Sequence, residues 1–286
     1  MIQLVECPRD AMQGIKKFIP TAVKAEYINS LLKVGYHTID FGSFVSSKAI
    51  PQMADTRDLV KLLDLRDSPS KLLAIIANER GAIEASEFEE ITYLGYPFSI
   101  SETFQLRNAN STIEESFERV KRIQEICTSN KKELVVYISM GFGNPYGDPY
   151  SKEIVENWIE KLSKLDINIF SLSDTVGVAQ ADTIGYLFDN LIPSFPGIEF
   201  GAHLHTAPHN WKEKIDSAFE HDCRRFDTAI FGYGGCPMAK DDLIGNMPTE
   251  HFVNYFGTKT IGNNFNIDAF ENSLRIAKKV FSLSKY

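Results

Sequence analysis

Eight short apolar runs, separated by longer segments of helical pattern, constrain this chain more than any other feature. They are IQLVE (2–6), HTIDF (37–41), LLAIIA (72–77), YPFSIS (96–101), ELVVYIS (133–139), NIFSLS (168–173), IEFGAHLH (198–205) and FDTAIFG (226–232). Near-continuous apolar runs of this length suit strands covered on both faces, as in a parallel sheet. The intervening spacing predicts helices over 21–34, 55–64, 81–89, 111–128, 151–164, 180–190, 209–220 and 266–284. The first of these opens at Thr21, stops before Gly35 and carries an apolar stripe of Ala22, Ala25, Ile28, Leu31 and Leu32. STIEES (111–116) reads as a capping-box entry.

Eight strands alternating with helices predict an α/β protein of the (β/α)8 TIM-barrel type. We expect one domain over 1–286 with a short C-terminal helical extension. An open doubly wound sheet is the rival architecture. No G-x-G-x-x-G follows the first strand, so dinucleotide binding in that manner has no support.

Composition narrows the function classes. Net charge is −8 and no basic tract stands out, which argues against a nucleic-acid partner. No apolar run reaches 18 residues, which argues against a membrane span. MIQLVECPRD does not read as a signal peptide, and SLSKY is not a peroxisomal address. The four cysteines form no C-x-x-C pair, as expected in a reducing compartment. A cytoplasmic location fits all of this.

In a barrel of this kind chemistry sits at the C-terminal ends of the strands. The first strand runs out into CPRDAMQG, with Arg9 and Asp10; the seventh ends in HLH; the eighth leads into GYGGCPMAKDDLIGN, with Cys236 and Asn246. Side chains alternate along a strand, so His203 and His205 share a face. Two neutral imidazoles converging near the rim suit a divalent metal, although an H-x-H pair alone is more often two hydrogen-bonded histidines. Asp10 offers a hard anionic oxygen and Asn246 an amide oxygen. Taken singly, the first reads as a cap and the second as a turn residue. Together the four leave open octahedral positions, favouring Mg2+ or Mn2+, with Zn2+ or Co2+ also accommodated.

Arg9 is either a planar fork for a carboxylate or enolate oxygen, or half of a structural salt bridge. Cys236, between Gly235 and Pro237, can close over a ligand and exchange a proton, or fill a small apolar space. Cys7, Cys127 and Cys223 take the second reading. His209, at a helix start, reads as a solvated or capping residue.

Longer motifs go further. VECPRDAMQ, GSFVSSKAIPQMAD (42–55), SETFQLRNANSTIEES (101–116), SLSDTVGVA (171–179), GGCPMA and GNMPTE (245–250) resemble, in order and over nearly the whole chain, those of the 3-hydroxy-3-methylglutaryl-CoA lyases. That family belongs to the metal-dependent TIM-barrel lyases and Claisen-type synthases. The resemblance implies that Asp10, His203, His205 and Asn246 hold Mg2+ or Mn2+. It implies that Arg9 and Asp174 stand around an acyl-CoA substrate and that Cys236 is the loop cysteine. It also implies retro-Claisen cleavage; family members are often homodimers. Asp174, Asp40 and a metal-bound His203 all remain open as the group that takes the hydroxyl proton.

This chain departs from the family pattern in places. Asp40 stands where the family has glutamate, a carboxylate shorter by about 1.5 Å, one C–C bond. A misplacement of about 1 Å can cost roughly a hundredfold in rate. Thr206 follows H-x-H where the family has aspartate, which removes a carboxylate able to orient a ligand. DAMQGIK replaces DGLQNEK, and the stretch from Cys236 to Asn246 is one residue longer. Rival readings are a condensing synthase using acetyl-CoA and a 2-oxo acid, a lyase for a related hydroxyacyl-CoA or hydroxy acid, and a binding barrel without catalysis. The last draws on Asp40 and Thr206. Strand order disfavours a zinc hydrolase whose H-x-H lies on strand one.

Overall fold

The computed structural model describes residues 1–235, 244–262 and 264–282. Along the chain the strands are β1 (Gln3–Glu6), β2 (Thr38–Ser43), β3 (Lys71–Ile75), β4 (Ile91–Ser99), β5 (Glu133–Ser139), β6 (Ile169–Ser173), β7 (Glu199–His203), β8 (His205–Thr206), β9 (Arg225–Thr228) and β10 (Gly245–Asn246). Strands β1 to β7 and β9 form a closed parallel barrel, and β9 pairs with both β7 and β1 to complete it. The fold is therefore the (β/α)8 TIM barrel. All eight expected strands are present, each overlapping its apolar run.

Differences lie at the edges. β4 begins at Ile91, ahead of the expected YPFSIS run, because Gly95 interrupts the apolar pattern inside the strand. A Cβ at Gly95 would stand 2.6 Å from Ile75 Cδ1 and 3.1 Å from the Tyr137 ring, so the barrel interior demands glycine there. The interior is filled by Leu73, Ile75, Tyr93, Val135, Tyr137 and Ile169, all buried against one another. A larger apolar layer lies between barrel and helices.

The seventh run divides at Leu204, where β7 gives way to β8. The latter pairs antiparallel with β10 in a two-strand ribbon at the barrel mouth. The eighth run stops at Thr228. The chain then turns through Ile230–Gly232, with Phe231 at φ 62°. Ile230 N–H donates to Glu6 and Phe231 N–H to Glu250, which holds that left-handed turn.

The expected helices form at Thr21–Leu32, Glu79–Ser86, Ile113–Ser129, Lys152–Ser163, Ala181–Ser194, Trp211–Glu220 and Ile267–Ser282. Segment 55–64 is a short helix, Thr56–Leu59, followed by a 3-10 turn. The capping box is real: Thr112 accepts from Glu115 N–H, and the Glu115 side chain accepts from Thr112 N–H. Ile267–Ser282 packs on Thr21–Leu32, with Tyr27 and Phe281 edge to face at 6.0 Å. Pro8–Gln13, Glu102–Ala109 and Thr249–Phe256 are helices that the apolar spacing did not announce. The first matters most. Pro8 opens it and Asp10 sits in its first turn, both favourable at a helix start. Arg9 and Asp10 thus lie on a helical turn and not in an open loop.

Candidate metal centre

The side chains gather where β1, β2, β7 and β9 end. Asp10 comes from the helix that follows β1. His203 closes β7, and His205 opens the mouth ribbon. One ligand atom from each of the three lies within 4.8 Å of the others. The ribbon register pairs His205 directly with Asn246, which brings the fourth expected residue to the same place. Asn246 Nδ2 donates to Asp10 Oδ2 and to Tyr233 O. Sequence alternation put both histidines on one face. The structure keeps them together, ring centroids 5.4 Å apart, across the break at Leu204.

Hydrogen bonding separates the roles of the two imidazoles. His203 Nδ1 bonds Asp227 Oδ2 at 3.0 Å, which leaves Nε2 for the centre of the cluster. His205 bonds the backbone of Thr175, and its Nδ1 is buried with no partner among the described residues. A buried polar atom left this way is costly unless something binds it. Burial, reinforced by neighbouring His203, pushes the His205 pKa down to about 4, so it is a neutral ligand at physiological pH. Burial opposes ionisation of Asp10, but Arg9 and then His203 outweigh it and hold the carboxyl at about 2. A neutral imidazole, a second imidazole and a firmly ionised carboxylate fit a divalent ion.

Arg9 organises the acidic side. Its Nε donates to Asp40 at 3.0 and 3.2 Å, and its Nη1 donates to Asp10 Oδ1 at 3.0 Å and Gln13 Oε1 at 2.9 Å. Gln13 Nε2 donates to Asp10 Oδ1 at 2.7 Å. Asp40 is fully buried. Burial pushes its carboxyl up to about 6 despite the opposing charge of Arg9. The shorter Asp40 still reaches Arg9, accepting from both Nε and Nη2.

Asp174 is placed differently. It follows β6, and both its oxygens are taken: Oδ1 accepts from Ala179 N–H at 3.0 Å, and Oδ2 from Lys214 Nζ at 2.6 Å. Lys214 also donates to His205 O at 2.8 Å and Gly177 O at 3.2 Å, which pins the ends of β6 and β7 together. Thr206 is buried, and its hydroxyl donates to Asn246 O at 3.4 Å, within the ribbon. The position after H-x-H thus carries no carboxylate, while Asp227 on β9 bonds His203. His209 lies outside this cluster, on a surface groove between helices Ala181–Ser194 and Trp211–Glu220. Cys236 lies outside the described residues.

Sequence reasoning passed over Gln13, Asp227 and Lys214. Asp227 carried a signal, an acid near the start of an apolar run and two residues from Arg225, on the same face. Lys214 carried none, since one lysine on a charged helix looks solvated.

The barrel carries a cluster able to hold an ion, and its matches to known proteins show an enzyme, a lyase of the oxo-acid lyase type. The chain belongs to the HMGL-like family, whose sequence profile matches residues 2–276. It is 31% identical over 256 residues to the cytoplasmic 3-hydroxy-3-methylglutaryl-CoA lyase of Danio rerio, covering 88% of this chain and 75% of that protein. It is 28% identical over 246 residues to the hydroxymethylglutaryl-CoA lyase of Pseudomonas mevalonii, covering 86% and 81%. Among solved structures, an HMG-CoA lyase from Acinetobacter baumannii in complex with coenzyme A and 3-methylmalate superposes with a TM-score of 0.90 at 29% identity, covering 99% of this chain and 92% of that one. The family is metal-dependent, and the Asp10, His203 and His205 cluster is a group able to hold an ion. Among the described residues no helix is long and apolar enough to cross a membrane.

Proposed function

We propose that this protein cleaves 3-hydroxy-3-methylglutaryl-CoA to acetoacetate and acetyl-CoA, in the cytoplasm, with Mg2+ or Mn2+ as cofactor. The observation that carries the reading is the convergence of Asp10, His203 and His205 at the mouth of a barrel of this family. Asp10, His203, His205 and Asn246 would hold the ion, which supplies Lewis-acid polarisation of the substrate's tertiary hydroxyl and so lowers its pKa.

The protein's own groups do the rest. When the 3-hydroxyl passes its proton to one of the three candidate bases, Asp40, Asp174 or His203, its oxygen forms the ketone and the bond to the thioester-bearing carbon breaks. The electron pair passes into the thioester enolate. Arg9 stabilises the developing enolate oxygen, an electrostatic role that a preorganised donor performs without reorganising. Asp40 holds the Arg9 fork in place. Asp174 acts through Lys214 to fix the backbone of His205. Cys236 is assigned the later proton donation to the enolate carbon, on the resemblance of its loop.

The test is to incubate purified protein with Mg2+ or Mn2+ and 3-hydroxy-3-methylglutaryl-CoA and to follow acetoacetate. Metal-dependent release is expected. Metal binding without release would move the assignment to another hydroxyacyl substrate. Arg9→Lys keeps the charge and loses the planar fork. It should lower kcat by about 10^2 to 10^3-fold, with metal binding measured alongside and little changed. Near-native turnover in that variant would remove Arg9 from the enolate role.

A further inference from the structure

Beneath the metal centre, three side chains that the proposed reaction does not jointly use converge inside the barrel. Cys7 follows β1, Asp227 lies on β9 and His203 closes β7. One ligand atom from each lies within 4.8 Å of the other two. The register explains why. Val5 is level with Asp227 and Gly201 with Arg225, so alternation along the three neighbouring strands carries Cys7, Asp227 and His203 inward at similar heights.

Two observations show that this group is poorly satisfied by protein alone. Asp227 is buried, and its Oδ1 has no partner among the described residues. The Cys7 thiol is buried and, among the described residues, its one hydrogen-bond contact is Val5 O, at 3.9 Å. The one firm contact, Asp227 Oδ2 to His203 Nδ1, spans 3.0 Å. Two ligands bound tetrahedrally to zinc at about 2.0–2.1 Å stand roughly 3.3 Å apart. An ion can therefore enter between these atoms with little widening.

We propose that Cys7, His203 Nδ1 and Asp227 form a second ion site, specific for thiophilic divalent ions of the zinc class. The donor set of one sulfur, one imidazole nitrogen and one carboxylate oxygen is softer than that of Asp10, His203, His205 and Asn246. Binding forms metal–sulfur, metal–nitrogen and metal–oxygen bonds and releases the thiol proton to solvent. A neutral imidazole has one lone pair. When His203 gives it at Nδ1, the ring proton moves to Nε2, and His203 no longer serves the outer centre. The two sites are therefore antagonistic, and zinc in the inner one disables the outer one.

The inference does not depend on the identity of the substrate, and it is tested without turnover. Full-length protein stripped of metal is titrated with Co2+ and scanned for a thiolate-to-cobalt charge-transfer band in the near ultraviolet. The band is expected in the wild type and in Cys236→Ser, and it should vanish in Cys7→Ser. Excess Mn2+ should diminish it. Should Cys7→Ser fail to fold, X-ray absorption of zinc-loaded Cys236→Ser decides, with one sulfur expected in the ion's coordination shell. A wild type that binds Co2+ without the band, a band lost in Cys236→Ser, or a zinc shell free of sulfur would each overturn the site.

Discussion

Two assemblies of buried charge stand side by side at the barrel mouth, and they are finished to different degrees. Around Lys214 every bond is closed: its three contacts are Asp174, His205 O and Gly177 O, and the other oxygen of Asp174 takes Ala179 N–H. Around Asp10 the network is open. His205 Nδ1 and Asp227 Oδ1 are buried and unbonded among the described residues. Three carboxylates, Asp10, Asp40 and Asp227, crowd against Arg9 and two histidines. A closed network fixes backbone; an open one has atoms to offer a ligand. The difference teaches that charge alone did not mark the site, since both assemblies are charged and buried. Incomplete satisfaction among metal-ligating residue types marked it.

The largest effect should come from removing an open atom. His205→Ala deletes the unpartnered nitrogen, and loss of the ion's contribution should lower turnover by at least about a thousandfold. Mn2+ binding, followed by electron paramagnetic resonance, should weaken with it, while thermal stability holds or rises. The closed assembly should behave in the opposite way. Lys214→Met leaves Asp174 buried and uncompensated, which typically costs about 3–5 kcal/mol. Chemical denaturation should show that loss, and metal affinity should fall less than in His205→Ala. If Lys214→Met were the more harmful to metal binding and the milder for stability, the contrast between the two assemblies would collapse.

Asp227 tests the boundary between them, because it is bonded at one oxygen and open at the other. Asp227→Asn keeps the shape and loses the charge that holds the proton on His203 Nδ1. Removing such an orienting partner commonly costs about 10- to 100-fold in metal affinity. Calorimetry with Mn2+ should find a change of that size, smaller than that of His205→Ala. An affinity within about threefold of wild type would mean that backbone alone aims His203.

How much of this was legible in the sequence follows the same line. Apolar periodicity announced all eight barrel strands, because a doubly covered strand must be apolar along its whole length. It missed Pro8–Gln13, since that helix has six residues and buries the charged Arg9 and Asp10 beside Ala11 and Met12, so it has no apolar stripe to show. His203, His205, Asp10 and Asn246 were legible as reactive types at strand ends, and the structure does bring them together. Lys214 was not legible, because its burial depends on a carboxylate forty positions away in sequence. Thr206 told only part of the story. The position after H-x-H carries no carboxylate, and the sequence did not show that Asp227 reaches His203 from the neighbouring strand.

Glu6 extends the comparison to a buried carboxylate with no ion-pair partner among the described residues. It accepts from Thr249 Oγ1 at 2.6 Å and from Ile230 N–H at 2.9 Å, joining β1 to the turn after β9 and to helix Thr249–Phe256. Burial, helped by nearby Glu250 and opposed by these hydrogen bonds, pushes its carboxyl up to about 8. The native state therefore keeps a proton that the unfolded chain releases near 4.5. Stability carried by this group is fully present below pH 4.5 and declines as pH rises toward 8, by up to about 1.4 kcal/mol per pH unit. Glu6→Gln removes the titration and keeps an acceptor for Ile230 N–H. Melting temperatures of wild type and variant, measured from pH 5 to 8, should diverge as pH rises, with the variant gaining on the wild type. Parallel curves would show that Glu6 stays ionised in the fold. In that case its hydrogen bonds suffice to hold a charge where Asp174 pairs with a lysine.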